Sequence, residues 1–255
     1  MNRAVLRLDR KLLKEKKQTD YKQLQKDNFY KELMNNEKKA KIWELNAPPK
    51  RSTLEEVGNS ITHGIGVAFG VVMLLLMLFK SQTPLEYLAS SVYGSCLIIM
   101  MLMSCLYHAF ASDSVVKRVF RRFDYSSIYL LIGGTFAPLF LVALGNQTGI
   151  ILFIIQWSLI LFGITFVCIF GPGRYKWIHF TLYFVLGWSG AIIFGPTWFK
   201  KDLPLLLWIL GGGLAYTLGM IPFALKNVKA AHFIWHFFVL AGAIIQWIGI
   251  YLFVF

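Results

Sequence analysis

Two histidines near the carboxyl end of the chain have the spacing of a metal-binding pair. His232 and His236 stand four positions apart, so on a helix their rings lie on one face, one turn apart. The apolar run that they open continues to Phe255, which places the pair inside a membrane-spanning helix. Polar groups at that depth are costly without a partner, so the pair indicates a functional site. The partner that best suits two neutral imidazoles is a metal ion, and zinc fits best.

Other polar residues are predicted to reach the same depth on neighbouring segments. Ser104 and His108 repeat the four-residue spacing at the end of one apolar segment, and Asp124 follows at the start of the next. His108 is therefore a candidate third ligand, and Asp124 a candidate activator of water. We expect a helix to begin close to Asp124, where its positive end favours the ionised carboxylate. An ion pair of Asp124 with Arg121 or Arg122 is the alternative interpretation.

The two remaining histidines are expected at the same side of the membrane with other roles. His63 stands alone at the start of the first apolar segment, which is more typical of an interfacial or hydrogen-bonded core histidine than of a ligand. His179 follows Trp177 in a basic stretch, where an anchoring role at the membrane surface is expected.

The composition is that of an integral membrane protein. Hydrophobic residues make up 56% of the 255 positions and the mean hydropathy is +0.57, which is too apolar for a soluble domain of this length. The cysteines lie inside apolar runs and form no CxxC pair, so neither a disulfide framework nor a thiolate metal site is indicated. They are Cys96, Cys105 and Cys168.

Seven apolar segments are long enough to cross a bilayer as helices. The predicted all-α fold has spans at 61–79, 87–110, 125–144, 150–170, 178–196, 204–225 and 233–254. The connections on one side carry eight lysines and arginines, and those on the other side carry Lys80, Lys200 and Lys201 alone. The excess of positive charge predicts a cytoplasmic N-terminus and a C-terminus outside.

The net charge of +13 arises mainly from an amino-terminal arm. Of the 26 lysines and arginines, 15 precede Ser52 and the rest lie in connections between apolar segments, a pattern that favours a membrane surface over nucleic acid as the partner. We therefore predict a basic cytoplasmic arm at 1–52 and a membrane domain at 53–255. Basic and aliphatic residues alternate between Arg3 and Lys17, which indicates either an amphipathic helix on anionic inner-leaflet lipids or a solvated tail.

Several stretches together resemble the bacterial hemolysin III family, which is related to the progestin and adipoQ receptor family and to the alkaline ceramidases. The stretches are Glu56-Val-Gly-Asn59-Ser60-Ile-Thr62-His63-Gly64, Ser104-Cys-Leu-Tyr107-His108, Phe123-Asp124-Tyr125, Ile128-Tyr129-Leu-Leu-Ile-Gly133-Gly-Thr135-Phe-Ala-Pro138, Gly211-Gly-Gly-Leu-Ala-Tyr216-Thr-Leu-Gly219 and His232-Phe-Ile-Trp235-His236. The resemblance implies zinc bound by His108, His232 and His236, with Asp124 near the bound water and Ser104 close by. The basic arm lies outside the pattern.

Three functions are compatible with such a site. Three histidine ligands leave a fourth zinc position open for water, which predicts a hydrolase acting on an amide or ester of a membrane lipid such as a ceramide. In that hypothesis Asp124 orients or deprotonates the water, and Ser104 donates a hydrogen bond to the developing oxyanion. The alternative is a receptor or a sensor of membrane state with a structural zinc, closed if Asp124 is the fourth ligand. A pore is suggested by the family name alone. The substrate and the oligomeric state are not predicted.

Overall fold

The architecture comes from a computed structural model that describes residues 16, 18–20, 23–29, 31–32, 35–112, 114–225 and 228–255, with the backbone alone at 191, 193–199 and 201. The chain forms two compact units, Met1–Ala47 and Pro48–Phe255. The first unit contains α1 (Glu37–Leu45), which begins where the Asn36 side chain accepts the backbone N–H of Lys39. Most of the stretch from Arg3 to Lys17, where an amphipathic helix was predicted, lies outside the described residues.

The second unit is built from long helices, and no strand occurs among the described residues. The helices are α2 (Thr53–Lys80), α3 (Pro84–Ala109), α4 (Val115–Pro138), α5 (Gln147–Phe170), α6 (Lys176–Lys201), α7 (Leu203–Ala224) and α8 (Ala231–Phe253), with a π-helical segment at Leu139–Leu144 after α4. Within the described part, six of them are long and apolar enough to cross a membrane: α2, α3, α4 with its π-helical continuation, α5, α7 and α8. The prediction of an all-helical membrane protein is confirmed, and the predicted number of seven spans stays a prediction.

Among the described residues, short polar side chains fix where five of these helices begin. Their side-chain oxygens accept a backbone N–H in the first turn, which is otherwise left without an intrahelical partner. Thr83 and Glu86 do so reciprocally in a capping box, and Pro84 occupies the first turn of α3. Single caps start four other helices: Ser52 for α2, Ser114 for α4, Asn146 for α5 and Asp202 for α7.

The beginning of α4 corrects one prediction. Asp124 was expected near a helix start, but the Ser114 cap begins the helix at Val115. Asp124 therefore lies in the third turn, beyond the first turn in which the helix dipole acts. The physical reason is that α4 opens with charged residues, so its apolar part begins well after the helix itself.

The membrane unit packs as a ring in chain order. Each helix from α2 to α8 contacts the next, and α8 returns to contact α2. α4 also contacts α6 and α8, and its span is the most buried of the six. This arrangement brings the start of α2, the end of α3, the start of α4 and the start of α8 to one end of the bundle.

Small residues let α7 and α8 approach closely. A Cβ atom on Gly212 would lie 2.8 Å from the carbonyl oxygen of Gly242, and one on Gly242 would lie 2.9 Å from the Tyr216 ring. Helix contacts of this kind depend on the absence of a side chain. The position of α8, which carries two of the histidines, therefore depends on this seam.

Candidate metal centre

Three histidines from two helices converge at that end of the bundle. His108 ends α3, and His232 and His236 occupy the first two turns of α8. Each offers one ring nitrogen such that the three ligand atoms lie within 4.8 Å of one another. The ring centroids are 4.8 Å apart for His108 and His236, 5.2 Å for His108 and His232, and 5.0 Å for the pair on α8. The set predicted from the sequence is thus brought together.

The donor atoms of this cluster fit a metal ion. Among the described residues, Nε2 of His108 and Nδ1 of His236 are buried without a hydrogen-bond partner, which is unfavourable unless something else binds them. Zinc holds histidine nitrogens at about 2.0–2.1 Å in a tetrahedral arrangement, so its ligand atoms lie about 3.4 Å apart. An ion could be held here by His108, His232 and His236.

A buried carboxylate and a buried ammonium adjoin His108. Glu56 on α2 brings its Oε2 to 2.6 Å from Nδ1 of His108 and 3.0 Å from Nζ of Lys117 on α4. The Glu56 side chain is 8% exposed and that of Lys117 is fully buried. The Asn59 amide also approaches Nδ1 of His108, at 3.4 Å. Three helices thus contact one another through polar groups around a single imidazole.

Ser104, one turn before His108 on α3, and Asp124 on α4 form a second polar pair. Their side chains interact with each other, which joins α3 to α4. Asp124 also interacts electrostatically with Arg51, Arg121 and Lys117. The alternative interpretation, an ion pair of Asp124 with Arg121 or Arg122, is supported for Arg121 at the level of an electrostatic interaction. Asp124 is outside the group of residues whose atoms converge as possible ligands.

His63 lies against the cluster without joining it. Its ring is stacked on that of His236, with 3.8 Å between centroids and 18° between planes. Its ring is buried, which agrees with a core position and excludes the interfacial role that was the other expectation, and its neighbour is a candidate ligand. His179 lies elsewhere: it is fully buried, with Nδ1 3.4 Å from the Tyr129 hydroxyl and its ring near Phe166. The expected surface-anchoring role of His179 is wrong, because the ring is enclosed between helices.

Two residues of the site were missed by reasoning from the sequence. Glu56 had no assigned role. Lys117 was counted only among the positive charges that predict the orientation of the chain in the membrane. A signal for Glu56 was present: with Asn59 and His63 it follows the i, i+3, i+7 spacing of one helix face. All three side chains are buried. Lys117 had no comparable signal, because its partner lies on a distant helix.

The arrangement can hold a divalent cation. The three imidazoles could supply three ligands and leave a further coordination position free. Asp124 interacts with Ser104, which lies one turn before His108 on α3. Sites with three protein ligands and an open position are typical of catalytic rather than structural zinc.

Comparison with known proteins places the chain in a family. The family model described as "Haemolysin-III related" matches residues 51–247. Hemolysin-3 of Bacillus cereus is 34% identical over 192 residues, which cover 74% of this chain and 87% of that protein. The Hemolysin-3 homolog of Bacillus subtilis (strain 168) is 32% identical over 192 residues, covering 74% and 89%.

A human relative extends the comparison. The monocyte to macrophage differentiation factor of Homo sapiens is 26% identical over 208 residues, which cover 79% of this chain and 85% of that protein. The resemblance drawn from the sequence is confirmed. Together with the spanning helices, these matches show that this is a multi-pass integral membrane protein and that the chain belongs to the Haemolysin-III related family.

Proposed function

We propose that the protein is a zinc-dependent hydrolase that cleaves an amide or ester bond of a membrane lipid. The observation that carries the proposal is the convergence of three histidine nitrogens, within 4.8 Å of one another. The interaction of Asp124 with Ser104, which lies one helical turn before His108, supports it. His108, His232 and His236 would hold the ion. Bound zinc would polarise a carbonyl oxygen and make water easier to deprotonate.

The residues of the chain have distinct roles in this reaction. Asp124 takes a proton from the attacking water as the water oxygen adds to the carbonyl carbon. It then returns that proton to the leaving nitrogen or oxygen as the C–N or C–O bond breaks. Ser104 interacts with the Asp124 carboxylate in the resting site, and its hydroxyl would donate a hydrogen bond to the developing oxyanion.

The proposed substrate class depends on how deep in the membrane the site lies and on which side of the membrane it opens. We propose that α6, a helix of 26 residues, crosses the membrane as a seventh span, with the N-terminus in the cytoplasm and the C-terminus outside. The site then lies near the inner headgroup region, where the carbonyl of a ceramide or another acyl lipid would reach it by lateral entry. The basic arm would bind anionic lipids of the same leaflet.

The test measures metal and turnover on the same purified protein. Wild type in nanodiscs is assayed for bound metal and incubated with labelled ceramide and acyl-lipid panels. We expect about one zinc per chain, and loss of that zinc in His232→Ala. Asp124→Asn should keep the metal and lose about 10²–10⁴-fold in rate, the usual contribution of a general base. Asp202→Asn is the matched control, because asparagine caps a helix as well as aspartate.

The outcomes separate the competing functions. Hydrolysis that is unchanged in Asp124→Asn would remove Asp124 from the mechanism. Bound zinc without turnover of any lipid in the panel would favour the receptor or sensor with a structural ion. Leakage of dye from liposomes caused by the protein would favour the pore. A wild-type protein that binds no metal would overturn the proposal itself.

A further inference from the structure

Glu56 contacts the candidate ligand His108 at Nδ1, which leaves Nε2 of that ring available to an ion. Its Oε2 lies 2.6 Å from Nδ1 of His108, and Nε2 of the same ring is the buried atom that lacks a partner among the described residues. A carboxylate at that distance accepts the Nδ1 proton, so the lone pair of the neutral ring is on Nε2. Metal-binding histidines are commonly oriented in this way by a carboxylate behind the ring.

Lys117 supplies the counter-charge for the buried Glu56 carboxylate. A buried carboxylate that lacks a counter-charge is strongly unfavourable, and Nζ of Lys117 lies 3.0 Å from the same Oε2. That ammonium also donates to the carbonyl oxygen of Phe110 at 3.0 Å, just beyond the end of α3. Lys117 therefore fixes the carboxylate from α4 and binds the end of the helix that carries His108.

We propose that Glu56 and Lys117 are positioning residues for the metal centre: Glu56 sets the tautomer and ring orientation of His108, and Lys117 holds Glu56 in place. The inference rests on the proposed function, since it requires an ion at the three histidines. Neither residue is a ligand. Their effect is on the affinity of the site and on the geometry with which His108 binds.

The test compares neighbouring glutamates on α2. Glu56→Gln removes the carboxylate behind His108, whereas Glu55→Gln removes a partly exposed one that pairs with Arg51 at 3.8 Å. Zinc affinity is measured by competition with a chromophoric chelator. We expect Glu56→Gln to weaken binding about 10–100-fold, the usual effect of losing such a partner, and Glu55→Gln to stay within about twofold of wild type. The visible spectrum of the Co²⁺-loaded protein should shift for Glu56→Gln only, because that spectrum reports ligand geometry.

A double variant keeps the test decisive if Glu56→Gln fails to fold. Glu56→Gln with Lys117→Met removes both charges, so neither is left buried and unpaired. The metal-free protein should fold, with its unfolding temperature lowered only by the loss of the hydrogen bonds from Lys117 to the end of α3. Its zinc affinity should still fall about 10–100-fold. Wild-type affinity and an unchanged Co²⁺ spectrum in either folded variant would overturn the inference while leaving the metal site intact. Absence of metal in wild type would overturn both proposals.

Discussion

At the scale of single residues, the stacking of His63 on His236 raises the question whether His63 is itself a metal ligand. Ring nitrogens bind a metal in the plane of the imidazole, so rings that share one ion point their edges toward it. His63 instead lies parallel to His236, with an 18° angle between the planes. His63 therefore packs against the face of a candidate ligand, although both of its ring nitrogens are buried without a hydrogen-bond partner among the described residues.

This reasoning predicts a difference between two phenylalanine substitutions. His63→Phe preserves a flat ring against His236 and should leave zinc binding within about threefold of wild type. His236→Phe preserves the stack but removes a donor nitrogen, and should leave no stoichiometric zinc after gel filtration. Metal content measured by mass spectrometry on both purified variants decides between them. Loss of zinc from His63→Phe would show that His63 is a ligand and that the stack rearranges when the ion binds.

At the scale of helices, the positions of His232 and His236 depend on the close contact between α7 and α8. Two adjacent glycines of α7 meet different surroundings there. A Cβ atom on Gly212 would lie 2.8 Å from the Gly242 carbonyl oxygen, a contact with backbone that cannot move aside easily. One on Gly211 would lie 3.5 Å from Ile245, an ordinary van der Waals distance.

We therefore expect opposite results for alanine at these two positions. Gly212→Ala should destabilise the protein by about 1–3 kcal/mol, the usual penalty for overpacking, and should weaken zinc binding by displacing α8. Gly211→Ala should be neutral or slightly stabilising, because alanine is favoured over glycine in helices by about 1 kcal/mol. Thermal unfolding in one detergent measures both. Equal melting temperatures for the two variants would show that the helices can separate freely at Gly212.

At the scale of the whole molecule, local patterns in the sequence were enough to predict the helices and the histidine cluster. Apolar runs mark the spans, and four-residue spacing marks rings on one helix face. The start of α4 was not predictable from hydropathy, since its first turns carry Lys117 and Arg121, although the Ser114 cap was a readable signal. The contact of Glu56 with Lys117 joins distant helices, so only the packing of the ring of helices reveals it.

The number of spans fixes which side of the membrane holds the C-terminus. Seven spans place the two ends of the chain on opposite sides, whereas six place them on the same side. The basic connections predict a cytoplasmic N-terminus, so a periplasmic reporter such as alkaline phosphatase should be active when fused after Phe255 and after Asp202, and inactive after Arg174 and after Lys229. A fluorescent protein that matures only in the cytoplasm should give the reverse pattern at the same four points. An inactive phosphatase after both Asp202 and Phe255 would show that α6 does not cross, and that the C-terminus shares the cytoplasm with the arm.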